Sequence, residues 1–356
     1  MIVHQWIPAA HPGDAVGNQA RVVRDVLRSW GHDSEIYALT IDRGLEDDIR
    51  PWHDSGAREG DVTLMHFALP SPMTDAIRTL PGARVLYYHN VTPAHFFVPF
   101  DPALCRLAVL ARRELATLAG RVDLAVGVSE FNRSELDALG FDRTGVLPIA
   151  VDTARLTDAP PVPSLERLLT DGLVNILFVG RIAPNKKIED HIRLAETFKR
   201  YVDAYYRFIF VGRYDGVPHY YATVRALIDE YHMLPDRFWF TGPVPDEELA
   251  AYYRHAHAYV SLSEHEGFCV PLVESMAMDV PILAYASTAV PETLGGAGVS
   301  FAPKDLEQAA EWLGALVYDE PLRQQVLAGQ RRRLADFSRD RFEAQLKAVL
   351  AGVAAA

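Results

Sequence analysis

Two glutamates with seven residues between them lie in a segment whose composition suits ligand binding. Residues 261–274 have the sequence SLSEHEGFCVPLVE, in which Glu266 precedes a helix predicted to begin at Pro271 and Glu274 lies in its first turn. Free loop amides and the positive end of a helix form a site for an anion such as a diphosphate. Carboxylates beside that anion would be unfavourable unless they accept hydrogen bonds from sugar or ribose hydroxyls. The pattern is equally compatible with a solvated Glu266 and with a Glu274 that only stabilises the start of the helix.

A second segment, residues 178–187 (FVGRIAPNKK), places positive charge directly after a predicted strand. The strand ends at Gly180, and Arg181, Lys186 and Lys187 follow it. A guanidinium and an ammonium beside free amides would neutralise a leaving diphosphate. By itself the segment also fits a solvated basic turn. Because both segments follow strands of one predicted sheet, at the edge where open α/β proteins bind ligands, we interpret them as parts of one site.

Short apolar runs that alternate with amphipathic helices predict a parallel α/β architecture in both halves of the chain. In the first half the predicted strands are residues 2–6, 35–39, 62–67, 84–89, 124–129 and 145–148, with helices at 19–30 and 102–119. In the second half they are residues 175–179, 207–211, 237–241, 257–262 and 281–286, with helices at 188–204, 219–232 and 246–254. The sequence therefore predicts two Rossmann-like units, each with a parallel sheet.

The length of 356 residues supports two domains, each large enough for its own core. A segment with Pro160, Pro161 and Pro163 and no clear periodicity separates the two patterns. We therefore place the first domain at residues 1–155, a linker at 156–170 and the second domain at 171–340. The last helix, about residues 341–356, is expected to pack either on the first domain or on its own domain.

The turn after the first strand has the sequence GDAVGN at residues 13–18 and precedes a helix. An α/β domain lets a ligand approach its backbone at this place, which makes Gly17 a candidate binding residue. A plain loop explains the same residues. Neither half contains a strand followed by a complete G-x-G-x-x-G turn and a later acidic residue, so an enzyme that uses a nicotinamide or flavin dinucleotide is disfavoured.

The composition disfavours several other classes of protein. Lys and Arg total 35 against 47 Asp and Glu, a net charge of −12, which opposes a broad contact with nucleic acid. Cys105 and Cys269 are the only cysteines, too few for a disulfide framework or a cysteine-rich zinc site. The start MIVHQWIP lacks the pattern of a signal peptide, and no apolar run approaches the roughly 18 residues of a membrane-spanning helix. We therefore expect a cytoplasmic protein.

Three motifs of the second half occur together in one known family. Gly180 and Arg181 with Lys186 form G-R-x4-K, Glu266 to Glu274 form E-x7-E, and residues 290–298 read VPETLGGAG. In these motifs the sequence closely resembles the GT-B retaining glycosyltransferases of family 4, and the combination is highly specific. The resemblance implies two Rossmann-like domains that face a central cleft.

The resemblance has one departure and one weaker part. Position 187 is Lys where many members have Gly, which leaves Lys186 as the matching cation. The first half resembles the family more loosely, through residues 13–18, 89–90 and 129–132. Glu292 is similar to a family position near the nucleotide, although its simplest interpretation is a surface turn.

The resemblance implies a role for each of these residues. Arg181 and Lys186 would contact the donor diphosphate, Glu274 the ribose and Glu266 the transferred sugar. His89, at the end of a predicted strand, would lie across the cleft near the donor sugar, whereas a lone histidine is otherwise more simply structural. The residues assigned to catalysis are His89, Arg181, Lys186 and Glu266. The residues assigned to donor binding are Gly17, Gly180, Arg181, Lys186, Glu266, Gly267, Phe268, Cys269, Val270 and Glu274.

The activity implied by the resemblance is retaining transfer of a sugar from a UDP- or GDP-linked donor to a hydroxyl of a glycan or lipid-linked acceptor. Family context suggests bacterial cell-envelope polysaccharide biosynthesis. Members work without a bound metal, so we expect neither a metal nor a cofactor. They suggest front-face substitution, in which the departing phosphate oxygen helps to deprotonate the acceptor, more often than double displacement through a carboxylate nucleophile.

Other interpretations remain open at the level of sequence. The chain is also compatible with a non-catalytic two-lobed protein that binds a sugar or nucleotide, and with another GT-B enzyme such as a phosphorylase or epimerase, which would lack the E-x7-E element. Four arginines on and after a leucine-rich helix could contact the inner face of the cytoplasmic membrane, or form a solvated face. They are Arg106, Arg112, Arg113 and Arg121.

Overall fold

Each half of the chain is built around one parallel sheet. The computed structural model describes residues 1–11 and 13–354. The first unit comprises residues 1–95, 103–150 and those from 338 onward, and the second comprises 96–102 and 151–337. The division falls shortly before residue 155, where we placed the end of the first domain. Residues 156–170, which we predicted as a linker, belong to the second unit and include a helix.

The first unit contains a seven-stranded parallel sheet in the order β3-β2-β1-β4-β5-β6-β7. Its strands are β1 (Val3–Ala10), β2 (Ile36–Ile41), β3 (Arg50–Pro51), β4 (Val62–Phe67), β5 (Ala83–Tyr88), β6 (Leu124–Gly127) and β7 (Thr144–Val146). Its helices up to residue 150 are α1 (Ala15–Ser29), α2 (Met73–Ala76), α3 (Pro102–Ala116) and α4 (Glu130–Ala138). All six residues of β4 are buried, as expected for a parallel strand covered on both faces. The sequence did not predict β3, a two-residue strand at the edge.

The second unit contains a six-stranded parallel sheet in the order β10-β9-β8-β11-β12-β13. Before the sheet come α5 (Ala154–Thr157) and α6 (Pro163–Leu169). The strands are β8 (Val174–Val179), β9 (Tyr206–Val211), β10 (Phe238–Gly242), β11 (Ala258–Ser261), β12 (Ile282–Tyr285) and β13 (Val299–Phe301). The remaining helices are α7 (Ile188–Tyr201), α8 (Pro218–Glu230), α9 (Asp246–Arg254), α10 (Val270–Ala277), α11 (Val290–Leu294), α12 (Leu306–Tyr318) and α13 (Glu320–Leu334). Two parallel-sheet α/β units are therefore confirmed.

The strand order of the second unit reverses between β8 and β11. From β8 the chain runs outward to β9 and β10, and then returns to place β11 on the other side of β8. Loops that follow two such strands diverge and leave a crevice at the carboxyl edge of the sheet. Both motif-bearing loops begin at this point, residues 180–187 after β8 and residues 262–269 after β11.

Two glycines let the backbone segments after β8 and β9 approach each other closely. Gly212 has φ +138°, and a Cβ atom there would lie 2.3 Å from the carbonyl oxygen of Gly180. The amide of Gly180 donates to the carbonyl of Val211 at 2.9 Å, so the two strand ends remain paired. Only glycine fits this geometry, which explains part of the strand-then-glycine pattern in the sequence.

The last helix, α14 (Arg339–Ala354), belongs to the first unit. Its apolar stripe is buried and consists of Phe342, Leu346, Val349, Leu350 and Val353. The indole of Trp30 in α1 donates to Glu343 at 3.3 Å, and the Lys347 ammonium lies 4.6 Å from the centre of the Trp30 ring. We predicted this helix at about residues 341–356, of which 355 and 356 lie outside the described residues. Within the described part of the chain, no helix is long and apolar enough to cross a membrane.

Candidate functional site

The loop after β8 presents one free cation, Arg181, and two paired cations, Lys186 and Lys187. Arg181 is exposed, and none of the described residues pairs with its guanidinium. Lys186 ends a short 3-10 helix (Pro184–Lys186), and its ammonium lies 2.6 Å from each carboxylate oxygen of Glu266. Both side chains of this pair are largely buried, and the contact joins the loop after β8 to the loop after β11.

Lys187 has a different environment from Lys186. It adopts the left-handed conformation, with φ 52° and ψ 52°, directly before α7. Its ammonium lies 3.4 Å from carboxylate oxygens of Glu189 and Glu264. The positive φ explains why glycine suits this position in the family that the sequence resembles.

The loop after β11 is fixed by hydrogen bonds from neighbouring segments. The hydroxyl of Thr288 lies 2.8 Å from both the amide and the carbonyl oxygen of Glu266, and it bonds to both. Thr293 donates to the carbonyl of Phe268 at 2.6 Å. Asn185 donates to the carbonyl of His265 at 3.0 Å. These contacts hold the backbone that carries Glu266 without using its carboxylate.

Four consecutive amides are open at the start of α10. Within the described residues, no acceptor is found for the backbone N–H groups of Gly267, Phe268, Cys269 and Val270. Cys269 adopts a left-handed conformation with φ 69°, which turns the chain into the helix. Such amides at a helix N-terminus form a site that favours an anion.

The helix starts one residue earlier than we predicted. It begins at Val270, so that Pro271 is its second residue and Glu274 lies in its second turn. The prediction that Glu274 lies in the first turn was therefore wrong. Cys269, with its left-handed backbone, occupies the capping position.

Glu274 is buried and held by two side chains from other segments. Only 3% of its side chain is exposed. Arg155 of α5 forms ion pairs with Glu274 and with Asp246, and the Tyr253 hydroxyl donates to Oε2 of Glu274 at 2.9 Å. Burial raises the pKa of Glu274, and the Arg155 guanidinium partly offsets this effect. Sequence reasoning missed Arg155 because no spacing signal connects residues that are 119 positions apart.

In the first unit, His89 follows β5 and is joined to a buried histidine. Its Nε2 lies 2.9 Å from Nδ1 of His66 in β4, and Nε2 of His66 lies 3.0 Å from Oε1 of Gln5 in β1. His89 is only partly buried, whereas His66 and Gln5 are fully buried. Sequence reasoning missed Gln5 and His66, since both stand inside strand patterns without any motif around them.

Two further positions have ordinary structural surroundings. The carboxylate of Asp14 caps α1 and accepts a hydrogen bond of 3.0 Å from the Gly17 amide. This cap explains why α1 begins at Ala15 although we predicted its start at Gln19. Glu292 lies in α11, not in a surface turn.

Comparison with known proteins identifies a matching family model and several relatives. Residues 168–333 match the family model described as "Glycosyl transferases group 1". The chain is 26% identical over 206 residues to the O-antigen chain mannosyltransferase B of Escherichia coli, which covers 56% of this chain and 53% of that protein. It is 28% identical over 229 residues to a GDP-mannose-dependent alpha-mannosyltransferase of Mycobacterium tuberculosis, which covers 63% and 55%. The matches thus span about half the length of these two relatives.

The fold is similar to that of solved structures over the whole chain. A sucrose-phosphate synthase from Thermosynechococcus elongatus superposes with a TM-score of 0.76 at 16% identity, and the match covers 100% of this chain and 99% of that one. The parallel sheets of the two units agree with this fold class. Residues 168–333 are thus similar to the glycosyl transferases group 1 family, and the chain has the GT-B fold.

Proposed function

We propose that this protein is a retaining glycosyltransferase that moves a mannosyl group from GDP-mannose to a hydroxyl of a glycan or lipid-linked acceptor. The observation that carries the proposal is a group of charged residues and open amides on the loops after β8 and β11, where the strand order of the second unit reverses. An exposed Arg181 and four open amides at the start of α10 belong to the same two loops as the paired Lys186 and Glu266. This combination supplies positive potential for a diphosphate and carboxylate acceptors for sugar hydroxyls.

The leaving diphosphate would be stabilised by fixed donors. The Arg181 guanidinium, the Lys186 ammonium and the open amides of residues 267–270 would take up the negative charge that develops as the bond to the anomeric carbon breaks. The open amides are held before the substrate binds, because Thr288, Thr293 and Asn185 fix the loop that carries them. Such fixed donors stabilise the transition state without reorganisation during the reaction.

The two glutamates would bind hydroxyls. A carboxylate has about four lone-pair positions, and Glu274 uses two of them for Arg155 and Tyr253. The remaining positions would accept hydrogen bonds from ribose hydroxyls. Glu266 would likewise accept from the transferred sugar through the lone-pair positions that Lys186 leaves open.

The proposed route to retention is front-face substitution. The acceptor oxygen forms a bond to the anomeric carbon as the phosphate oxygen leaves, and that oxygen takes the acceptor proton. Double displacement would need a free carboxylate as nucleophile, whereas both oxygens of Glu266 already accept hydrogen bonds of 2.6 Å from Lys186. We propose that no metal takes part, as the resemblance implies, since Arg181 and Lys186 supply cationic charge.

The choice of GDP-mannose depends on two relatives that are named mannosyltransferases, one of them GDP-mannose-dependent. The O-antigen relative also supports a cell-envelope glycan or its lipid-linked precursor as acceptor. UDP-glucose and ADP-glucose serve as competing donors in the test below.

A peripheral contact with an anionic membrane is part of the proposal. On α3, Leu107 and Leu110 are exposed together with Arg106 and Arg113. Exposed leucines flanked by arginines suit an anionic lipid surface. Arg112, in contrast, donates to the Val91 carbonyl at 2.7 Å and pairs with Glu135, so it faces the protein. We expect the protein to sediment with phosphatidylglycerol vesicles but not with phosphatidylcholine vesicles. The variant R106E/R113E should no longer sediment with either.

The test of the function measures nucleotide release from GDP-mannose, UDP-glucose and ADP-glucose in EDTA, with mannosyl oligosaccharides and polyprenyl-linked glycans as acceptors. We expect GDP release with GDP-mannose and an α-linked product by NMR of the anomeric proton. The variant R181A should lower kcat/KM by about 30-fold, the effect of losing a charged hydrogen bond. The exposed arginine of α6 provides the matched control R167A, which should leave kcat/KM unchanged. Tight nucleotide binding without release in any combination would instead identify a binding protein.

A further inference from the structure

A lysine outside the two motif-bearing loops of the second unit reaches the segments next to them. Lys304 follows β13, the edge strand of the sheet, and its side chain passes β12 to reach the loop after β11. On the way its ammonium lies 4.4 Å from the centre of the ring of Tyr285, the last residue of β12. Only 14% of the Lys304 side chain is exposed, so this cation needs partners from the protein.

All three N–H groups of the Lys304 ammonium are used in hydrogen bonds. They are donated to the carbonyl of Leu262 at 2.9 Å, to Oε1 of Glu264 at 2.9 Å and to Oδ2 of Asp190 at 3.0 Å. An ammonium has three donors and no acceptor. These contacts therefore leave Lys304 no donor for a substrate, and its effect must act through the segments that it holds.

The segments that Lys304 holds are continuous with the ion pair of the candidate site. The loop after β11 is held at its first and third residues, and the third, Glu264, lies two residues before Glu266. Asp190 lies in the first turn of α7, which begins two residues after Lys186. Lys304 is thus bonded to one segment on each side of the ion pair without contacting the pair itself.

Among the described residues, the cluster around Lys304 has as many cations as carboxylates. Each carboxylate pairs with a neighbouring cation at a distance between 2.7 and 3.4 Å. Burial would raise the pKa of Asp190, but Lys304 and Arg193 hold it below its usual value. The cations are Arg193, Lys304 and Lys187, and the carboxylates are Asp190, Glu264 and Glu189.

We propose that Lys304 is a positioning residue, which fixes the loop after β11 against the start of α7 and so holds Glu266 beside Lys186. This role rests on the proposed glycosyl transfer, in which that ion pair belongs to the donor site. A shift of either segment would change the geometry that the donor meets, and a misplacement of about 1 Å can cost about 100-fold in rate. The turn after β13 is thereby a third segment on which the site depends.

The first experiment measures hydrogen exchange in the free protein and needs no substrate. K304M removes the three hydrogen bonds but keeps an unbranched side chain. We expect faster exchange in peptides from residues 262–269 and from the start of α7, and unchanged exchange in the first unit. K199M, the same substitution at an exposed lysine of α7, should leave these peptides unchanged. Equal exchange in K304M and the unmodified protein would overturn the proposal, whether or not the protein transfers a sugar.

The second experiment separates positioning from charge balance. K304M leaves the cluster with one carboxylate in excess, whereas K304M/E264Q restores equal numbers of cations and carboxylates. We expect the double variant to regain thermal stability relative to K304M. In both variants kcat/KM for GDP-mannose should stay at least about 10-fold below that of the unmodified protein, because Met cannot donate to the Leu262 carbonyl. E264Q alone keeps an amide oxygen for Lys304, so it should lose less kcat/KM than the double variant.

Two outcomes of this comparison decide between the roles of Lys304. Recovery of kcat/KM together with stability in K304M/E264Q would show that Lys304 only balances buried charge, and would overturn the proposal. If K304M does not fold, the charge-balanced double variant provides the comparison with E264Q. If the unmodified protein turns over no donor, the proposed function fails, and hydrogen exchange still decides whether Lys304 fixes the two segments.

Discussion

At the residue scale, the buried carboxylates of the candidate site are paired with different partners. Glu266 is satisfied by Lys186, and Glu274 by Arg155 and Tyr253, while Arg181 is left exposed. Removing one partner of a buried charge costs more than the pair itself contributes, because the remaining group stays buried without a partner. Substitutions on the two sides of each pair should therefore give unequal effects.

Lys186 should matter for donor use far more than its neighbour Lys187. K186A removes a cation from the proposed diphosphate site and leaves Glu266 buried, so we expect kcat/KM for the donor to fall by at least about 30-fold, or ~2 kcal/mol. Glu274→Ala is expected to weaken donor use by a similar amount. K187G is the control, since Lys187 already has a positive φ and pairs away from Glu266. An equal loss in K187G, or none in K186A, would contradict the assignment.

Arg155 should contribute to stability in a pH-dependent manner. R155A leaves Glu274 without its cation, so its already raised pKa should rise further. A carboxyl group whose pKa is raised in the native state holds its proton more tightly there than in the unfolded chain. The loss of stability in R155A is therefore absent below the pKa of the unfolded chain. It grows as the pH rises toward the native pKa. Urea unfolding should show a loss of about 1–3 kcal/mol at pH 8 and less at pH 4.5. The double variant R155A/E274Q should lose this pH dependence. A loss of stability in R155A that does not change with pH would contradict the role of the Arg155–Glu274 ion pair.

At the element scale, the backbone junction between β8 and β9 sets the shape of the loop that carries Arg181. G212A would place a Cβ atom 2.3 Å from the Gly180 carbonyl oxygen at a φ of +138°, so the two strand ends must separate. We expect a loss of about 2–4 kcal/mol in the free energy of unfolding, together with weaker nucleotide binding. G216A is the matched control, because its Cβ would meet nothing within 4 Å and its φ is not positive. Similar stabilities for the two variants would disprove the close approach.

At the scale of the whole molecule, the sequence could predict most of what local patterns encode. Apolar runs and glycine positions predicted two parallel sheets, and spacing alone placed Arg181 after β8 and Glu266 after β11 in one predicted site. Partners brought together by folding had no such signal, as Arg155 and His66 illustrate. The start of α10 was misplaced because a left-handed Cys269 has no signature in the sequence.

Nucleotide binding should stabilise the second unit more than the first, because the open amides and Arg181 that would hold the diphosphate lie there. At about 100 times its dissociation constant, GDP adds ~2.7 kcal/mol to the free energy of unfolding of the part that binds it. Hydrogen exchange with and without GDP in EDTA should therefore slow most in peptides from β8, β11 and α10, and R181A should reduce the effect. UDP and ADP serve as matched ligands with the same diphosphate. If all three nucleotides slow exchange equally, the proposed diphosphate site is supported but the preference for guanine is wrong. If no nucleotide slows exchange, the proposed diphosphate site is itself wrong.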